Sequence, residues 1–230
     1  LLDRLVMSQD ENLRLANQWA FIKYDGQSRP VKTGLITKNQ SKDVIQANAA
    51  ASSDYPTLSG TYTILTETYY DDYNWTSGTG LTGSLNNTYI TSSNFILSYN
   101  TSPDYARPMT KSTRIRGNIT GSKKMVLGTP TYLYTAIIYN EDGKAIQTKQ
   151  VNYSGGQDIA TTEYDFSGKV LRTQLHHQES GAGNQSHDLL TKYTYDHTGR
   201  PLTITKNIDN TADSLISAYT YNELGQVKQK

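Results

Sequence analysis

TKYTYDHTGRPLTITK, Thr191 to Lys206, carries two tyrosines, an aspartate and a glycine at short, regular offsets. Tyr193 and Tyr195 stand two residues apart, so an extended chain puts them on one face. Asp196 follows, where a short carboxylate can accept a hydrogen bond from a backbone N–H two residues on. Gly199 supplies the positive φ that short hairpin loops need near their end. Beyond Arg200, Leu202 and Ile204 alternate with polar residues, which is the period of a strand. The stretch reads as strand, tight turn, strand.

The pattern returns elsewhere in the chain. AIIYNEDGKAIQTK runs from Ala136 to Lys149, TTEYDFSGKVLRTQ from Thr161 to Gln174, and AYTYNELGQVKQK from Ala218 to Lys230. FIKYDGQSRPVKTG, Phe21 to Gly34, is a degenerate copy with Tyr24 and Asp25 in place but Ser28 where the glycine belongs. The motif tyrosines Tyr139, Tyr164, Tyr195 and Tyr221 are 25, 31 and 26 residues apart. Asn140 and Asn222 replace Asp165 and Asp196, which keeps the side-chain acceptor at the turn. A single hairpin is marginal in water, so each unit must find its partner strands in its neighbours.

Composition agrees with strands and argues against a thick oily interior. The chain has 18 Tyr, 3 Phe and 30 Thr, and branched and aromatic residues suit a pleated surface. Hydrophobic residues make up 35% of it, against ~45–50% apolar in an average globular domain. Something other than a thick apolar interior must hold it, and tyrosine can contribute because its ring packs against cross-strand neighbours while its hydroxyl stays hydrated. With no Cys, disulfides, thiolate metal sites and thiol nucleophiles are excluded. No apolar run reaches the ~18 residues of a membrane-spanning helix.

Y-D-x-x-G-[KR] followed by apolar alternation is similar to the YD repeat of the bacterial RHS family. The resemblance covers about the last 100 residues well and residues 21–34 weakly. TETYYDDYNW (Thr66–Trp75) and TGSKKMVLGTPTYLYTAIIYN (Thr120–Asn140) also resemble segments of large RHS/YD proteins. Membership would imply a long ribbon of hairpins spiralling into a hollow shell that encloses a C-terminal toxin or presents a cell-surface face.

The expected fold is therefore all-β: consecutive antiparallel YD hairpins forming an open, twisted or spiralling sheet, part of an RHS-type shell. At most one short helix is expected, near residues 41–53, where Ser41 can cap an Ala-rich run. Two regions are expected: a divergent segment over residues 1–125 with a loop excursion at 74–104, and a hairpin array over 126–230. Arg107 to Lys124 is expected to re-enter the sheet, with Arg114 and Arg116 sharing a strand face.

Other motifs are weaker than they look. Gly78, Gly80 and Gly83 match G-x-G-x-x-G, but the following SLNNTYITSSN is a poor helix, so a loop is expected. His176, His177, His187 and His197 lack the helical spacing of a zinc motif. Glu67, Asp71 and Asp72 form an acidic patch, read as a turn rather than a glycosidase pair. Arg107, Lys111, Arg114, Arg116, Lys123 and Lys124 form a basic run, read as a solvated or sheet-edge face.

No catalytic, cofactor or metal residues are expected. The functional set is the turn and ladder residues: Tyr24, Asp25, Tyr139, Asn140, Gly143, Tyr164, Asp165, Gly168, Tyr193, Tyr195, Asp196, Gly199, Tyr219, Tyr221, Asn222 and Gly225. The expected role is that of a non-catalytic shell segment in an exported or cell-surface bacterial protein, enclosing or displaying another part of its own polypeptide. Its partners would be flanking YD repeats and the C-terminal region of the same chain, with no nucleic acid and no membrane span. The chain begins without Met and both ends fall within the pattern, so a piece of a longer protein is expected. The alternative is a carbohydrate-binding module that stacks sugars on exposed Tyr and on Trp19 and Trp75.

Overall fold

The computed structural model describes residues 4–181 and 183–230. The chain divides into two compact units, one comprising the chain up to Asp71 with Ile119–Tyr134, the other Asp72–Asn118 with Thr135–Lys230. The fold is all-β, an open sheet of consecutive antiparallel hairpins.

In the first unit the strands are β1 (Met7–Ser8), β2 (Gln18–Tyr24), β3 (Pro30–Thr37), β4 (Tyr62–Tyr70) and β5 (Ile119–Met125), hydrogen-bonded in that order. Two short helices interrupt them. α1 (Glu11–Leu15) is a single turn that the sequence reading did not include; Asp10 caps it by accepting a bond from the Leu13 N–H at 2.8 Å. α2 (Lys42–Ala51) starts after Ser41, whose hydroxyl accepts from the Val44 N–H. The core of this unit is Met7, Trp19, Phe21, Ile36, Ile45 and Tyr55. Trp19 is only 6% exposed, so it is not available to stack on a sugar. A large indole inside a strand of alternating burial goes to the core face, where it removes the most apolar area from water.

β6 (Tyr132–Tyr139) carries the chain from the first unit into the second. There it is followed by β7 (Ala145–Val151), β8 (Gln157–Tyr164), β9 (Val170–Gln178), β10 (Ser186–Tyr195), β11 (Pro201–Ile208) and β12 (Ser214–Ala218), each paired antiparallel with the next. β13 (Thr220–Tyr221) and β14 (Val227–Gln229) close the last hairpin as a separate pair. The segment after Asp71 is irregular apart from one 3₁₀ turn at Asn74–Thr76. It is longer than the expected 74–104 excursion, since regular pairing resumes only at Ile119. Arg114 and Arg116 therefore lie outside any strand and do not share a strand face.

Within the second unit this excursion lies across one face of the sheet as a strap. Phe95 and Met109 pack with Ile138 and Ile146. Much of the remaining attachment is polar. Gln147 is 1% exposed; its Oε1 accepts from the Asn86 N–H at 2.8 Å and its Nε2 donates to the Asn86 carbonyl at 2.9 Å. A side-chain amide thus reproduces one rung of a β-ladder. Lys149 donates to Thr82 Oγ1 and the Ser84 carbonyl, Asn94 to Gln174, and Tyr73 to the Ile137 carbonyl. Buried polar groups persist in a fold only when bonded in this way.

Glycine is obligatory at Gly34 of β3. A Cβ there would run into the Thr63 carbonyl and the Phe21 ring. Gly34→Ala is expected to lower stability by about 1–3 kcal/mol through overpacking. Urea denaturation checks this, and an unchanged midpoint would contradict the close approach.

Candidate functional site: a stack of tyrosine-clamped turns

Five hairpin turns share one hydrogen-bond scheme, shown at Asp196. Its N–H donates to the Arg200 carbonyl, its carbonyl accepts from the Gly199 N–H, and its Oδ1 accepts from the Thr198 and Arg200 N–H groups, each at 2.9 Å. Asp25, Asn140, Asp165 and Asn222 make the same two backbone bonds, and each side chain accepts from the N–H four residues on. This is a type I turn closed by one residue in the left-handed region. Gly143, Gly168, Gly199 and Gly225 hold φ between 71° and 87°, and Ser28 takes the same place at 64°. The turn at Asp25 therefore closes without glycine, its carboxylate bonded to the N–H groups of Gln27 and Arg29.

Each turn is followed by a β-bulge. The residue before the Asp or Asn pairs with the fifth residue after it, and the sixth is skipped: Tyr195 faces Pro201, Thr194 faces Thr203, and Leu202 is left out. Val31, Ile146, Leu171 and Lys228 are skipped likewise. The simple alternation of Leu202 with Ile204 is broken at this point. An extra residue in one strand sharpens the local twist.

Tyrosine links one turn to the turn before it. The Tyr164 hydroxyl donates to the Ala145 carbonyl at 3.1 Å, Tyr195 to Val170 at 2.7 Å and Tyr221 to Pro201 at 2.7 Å. Each acceptor is the first strand residue after the preceding turn. In the first unit Tyr24 reaches the Leu5 carbonyl and Tyr70 the Pro30 carbonyl. Tyr70 makes this link although Asp71 opens no tight hairpin. Burial pushes the Tyr164 and Tyr195 hydroxyls up, which keeps them neutral donors.

The basic residue completes the link. Arg200 binds Asp196 of its own turn at 2.6 Å and lies 4.4 Å over the Tyr221 ring of the next. Arg29 does the same with Asp25 at 2.7 Å and Tyr70 at 4.2 Å. Lys169 pairs with Asp165 and lies 5.9 Å from the Tyr195 ring centre. Burial raises the Asp196 carboxyl, but bonds from the Arg200 and Thr198 N–H groups, the Thr198 hydroxyl and the Arg200 guanidinium outweigh it and hold the group well below its ordinary range. The basic chain also crosses the next glycine. A Cβ on Gly199 would strike Lys169, and one on Gly225 would meet Arg200 Nη1 at 2.9 Å.

The other expected ladder residues hold different places. Tyr139 accepts from the Ser112 N–H through its carbonyl. Tyr193 is half-buried beside Tyr195, and Tyr219 donates its N–H to Leu202 under the Lys230 ammonium.

Part of the basic run is paired within the chain, while Lys111, Arg114, Arg116 and Lys124 stay exposed. Arg107 binds Asp142, Arg114 lies 3.7 Å from Glu141, Lys111 lies over Tyr73, and Lys123 lies between Glu67 and the Tyr132 ring. Of the acidic patch, Glu67 binds Lys32 and Asp71 binds Arg29. Among the described residues no group of three or more His, Asp or Glu is arranged to hold a metal ion.

Sequence reasoning missed the strap's anchors, of which Glu163 is the extreme case. It is 0% exposed, and both its oxygens lie within 3.2 Å of the Ile96 N–H. Burial pushes its carboxyl up to about 7, against a smaller lowering by the Ile96 N–H and Arg172. The only signal was a polar residue at an inward strand position.

No family model matches the chain, and no curated protein matches it. It is weakly similar to solved structures of TcdB2-TccC3-Cdc42 (13% identity) and TcdB2-TccC3 (12% identity), each with a TM-score of 0.25. The match covers 91% of this chain and 10% of those chains. The chain thus spans about a tenth of their length, and a likeness of this degree carries no argument about role.

Tyr195→Phe is expected to cost about 1 kcal/mol, the net value of one hydrogen bond, and Gly199→Ala more than about 1 kcal/mol because Ala resists positive φ. In a double-mutant cycle, Lys169→Ala should relieve part of the Gly199→Ala cost, with a coupling of about 0.5–3 kcal/mol; strict additivity would deny the contact between turns. For Glu163, a folded value above the ordinary 4.5 means stability is fully present below 4.5 and is lost as pH rises to about 7,. Glu163→Gln should flatten this dependence in urea melts and stabilise the chain above neutrality.

Proposed function

We propose that the chain is a non-catalytic wall segment of an RHS/YD-repeat shell, in an exported or cell-surface protein, that encloses or displays another part of its own polypeptide. The observation that supports this reading is the chain of links Tyr164–Ala145, Tyr195–Val170 and Tyr221–Pro201. Three successive hairpins are clamped in this way, each to the one before it, so the motif supports addition of hairpins rather than a reaction. A sheet extended in this way can grow with the number of repeats and separate one space from another. Among the described residues no helix is long and apolar enough to cross a membrane.

A second reading, glycan binding, draws on one cleft. Tyr105 and Phe166 meet edge to face at 5.9 Å, and Phe166 is 72% exposed. Tyr193 and Tyr195 line the same cleft. Glycan-array binding lost in Phe166→Ala with the fold retained would favour it.

The wall reading is tested in the full open reading frame that contains this segment. Limited proteolysis should leave an enclosed portion intact in the wild type and release it when Tyr195→Ala and Gly199→Val loosen the wall. Equal cleavage in both proteins would rule out enclosure.

A further inference from the structure

Three of the four histidines pair with aspartates, and the sheet register brings two of these pairs together. His177 of β9 lies directly opposite His187 of β10, and Asp158 of β8 lies opposite His177 on the other side. His177 Nδ1 is 2.6 Å from Asp158 Oδ1, and His187 Nδ1 is 2.9 Å from Asp209 Oδ2. Both carboxylates are fixed: Asp158 Oδ1 also accepts from Asn152 Nδ2, and Asp209 Oδ1 accepts from the Asp188 N–H. His176 points to the opposite face by strand alternation and binds Asp188 there.

The chemistry follows from these bonds. An ionised carboxylate only accepts, so the proton of each neutral ring is on Nδ1 and the free lone pair is on Nε2. Asp158 lies on the β8 side of His177, and Asp209, next to Ile208 of β11, lies on the far side of His187. The two Nδ1 edges therefore face apart, and the Nε2 edges, across each ring, face the space between the histidines. Directly opposed residues in an antiparallel pair have Cβ atoms about 4.5–5.5 Å apart, close enough for two imidazoles to share one ion. Both side chains are open to solvent, at 40% and 56% exposure.

We propose that His177 and His187 form a cross-strand Zn²⁺ site, with Asp158 and Asp209 as the outer carboxylates that orient the two rings. Imidazole nitrogen suits Zn²⁺, whereas Mg²⁺ and Ca²⁺ prefer oxygen. A metal-bound histidine typically donates its other N–H to a carboxylate, and both rings already do so. With two protein ligands the remaining positions are filled by water, so the ion is exchangeable rather than a permanent part of the fold.

Isothermal titration of the 230-residue chain with ZnCl₂ near neutral pH tests this. One saturable equivalent is expected, lost in His177→Gln and in His187→Gln, and unchanged in His197→Gln. Asp158→Ala and Asp209→Ala should each weaken binding by about 10–100-fold. Far-UV circular dichroism checks that each variant keeps its fold, and zinc-edge absorption on the wild type should report two imidazole ligands. The proposal is overturned by absence of saturable binding, by binding that survives in the folded His177→Gln/His187→Gln double variant, or by an equal response to Mg²⁺.

Discussion

The interaction on which the structure depends is a tyrosine hydroxyl bonded to a backbone carbonyl one hairpin back. At Tyr195 this bond spans 25 residues to Val170 at 2.7 Å. It does two things that the strand ladder alone does not. It fixes the position of one turn against the next, and it satisfies a carbonyl beside a bulge. The arginine or lysine of the motif then joins three groups: its own aspartate, the next tyrosine ring and the space over the next glycine. Each such contact is modest, about 0.5–1 kcal/mol for an exposed cation over a ring, but it recurs along the chain.

That link explains how a chain with a modest apolar content holds an ordered sheet. The apolar clusters are small: Phe95, Met109, Ile138 and Ile146 in one unit, and Met7, Trp19, Phe21, Ile36, Ile45 and Tyr55 in the other. In the second unit the covered face is otherwise polar, and Gln147, Lys149, Gln174 and Glu163 on it bond to backbone or side-chain groups of the strap. Gln147 behaves as an extra ladder rung. Lys149 and Glu163 are costlier, because a buried charge loses its hydration. Burial by the strap pushes Lys149 down to about 8 and Glu163 up to about 7, both toward the neutral form.

The turns were legible in the sequence because they are local. Asp196 and the N–H groups it binds lie within four residues, and the conformation of Gly199 is a property of one residue. The helix after Ser41 was legible for the same reason. Other expectations missed because distant groups decided the outcome. Trp19, which the carbohydrate-binding alternative placed at the surface, is core; nothing in its neighbourhood announces the partners Ile45 and Tyr55. In the basic run, read as a solvated face, Lys111, Arg114, Arg116 and Lys124 are exposed, but the pairing of Arg107 with Asp142 and of Lys123 with Glu67 has no local signature.

The repeating hairpin, its Asp- or Asn-initiated turn and the strand character of the tyrosine segments are readable from residue order alone, since they follow from short-range sterics and hydrogen bonding. That Arg29, Lys169 and Arg200 reach forward to the next tyrosine, that residues 72–118 strap one sheet face and that His177 meets His187 came from the three-dimensional arrangement alone. Those pairings depend on strand register, and register is set by the sum of cross-strand contacts and bulges rather than by any one stretch of chain.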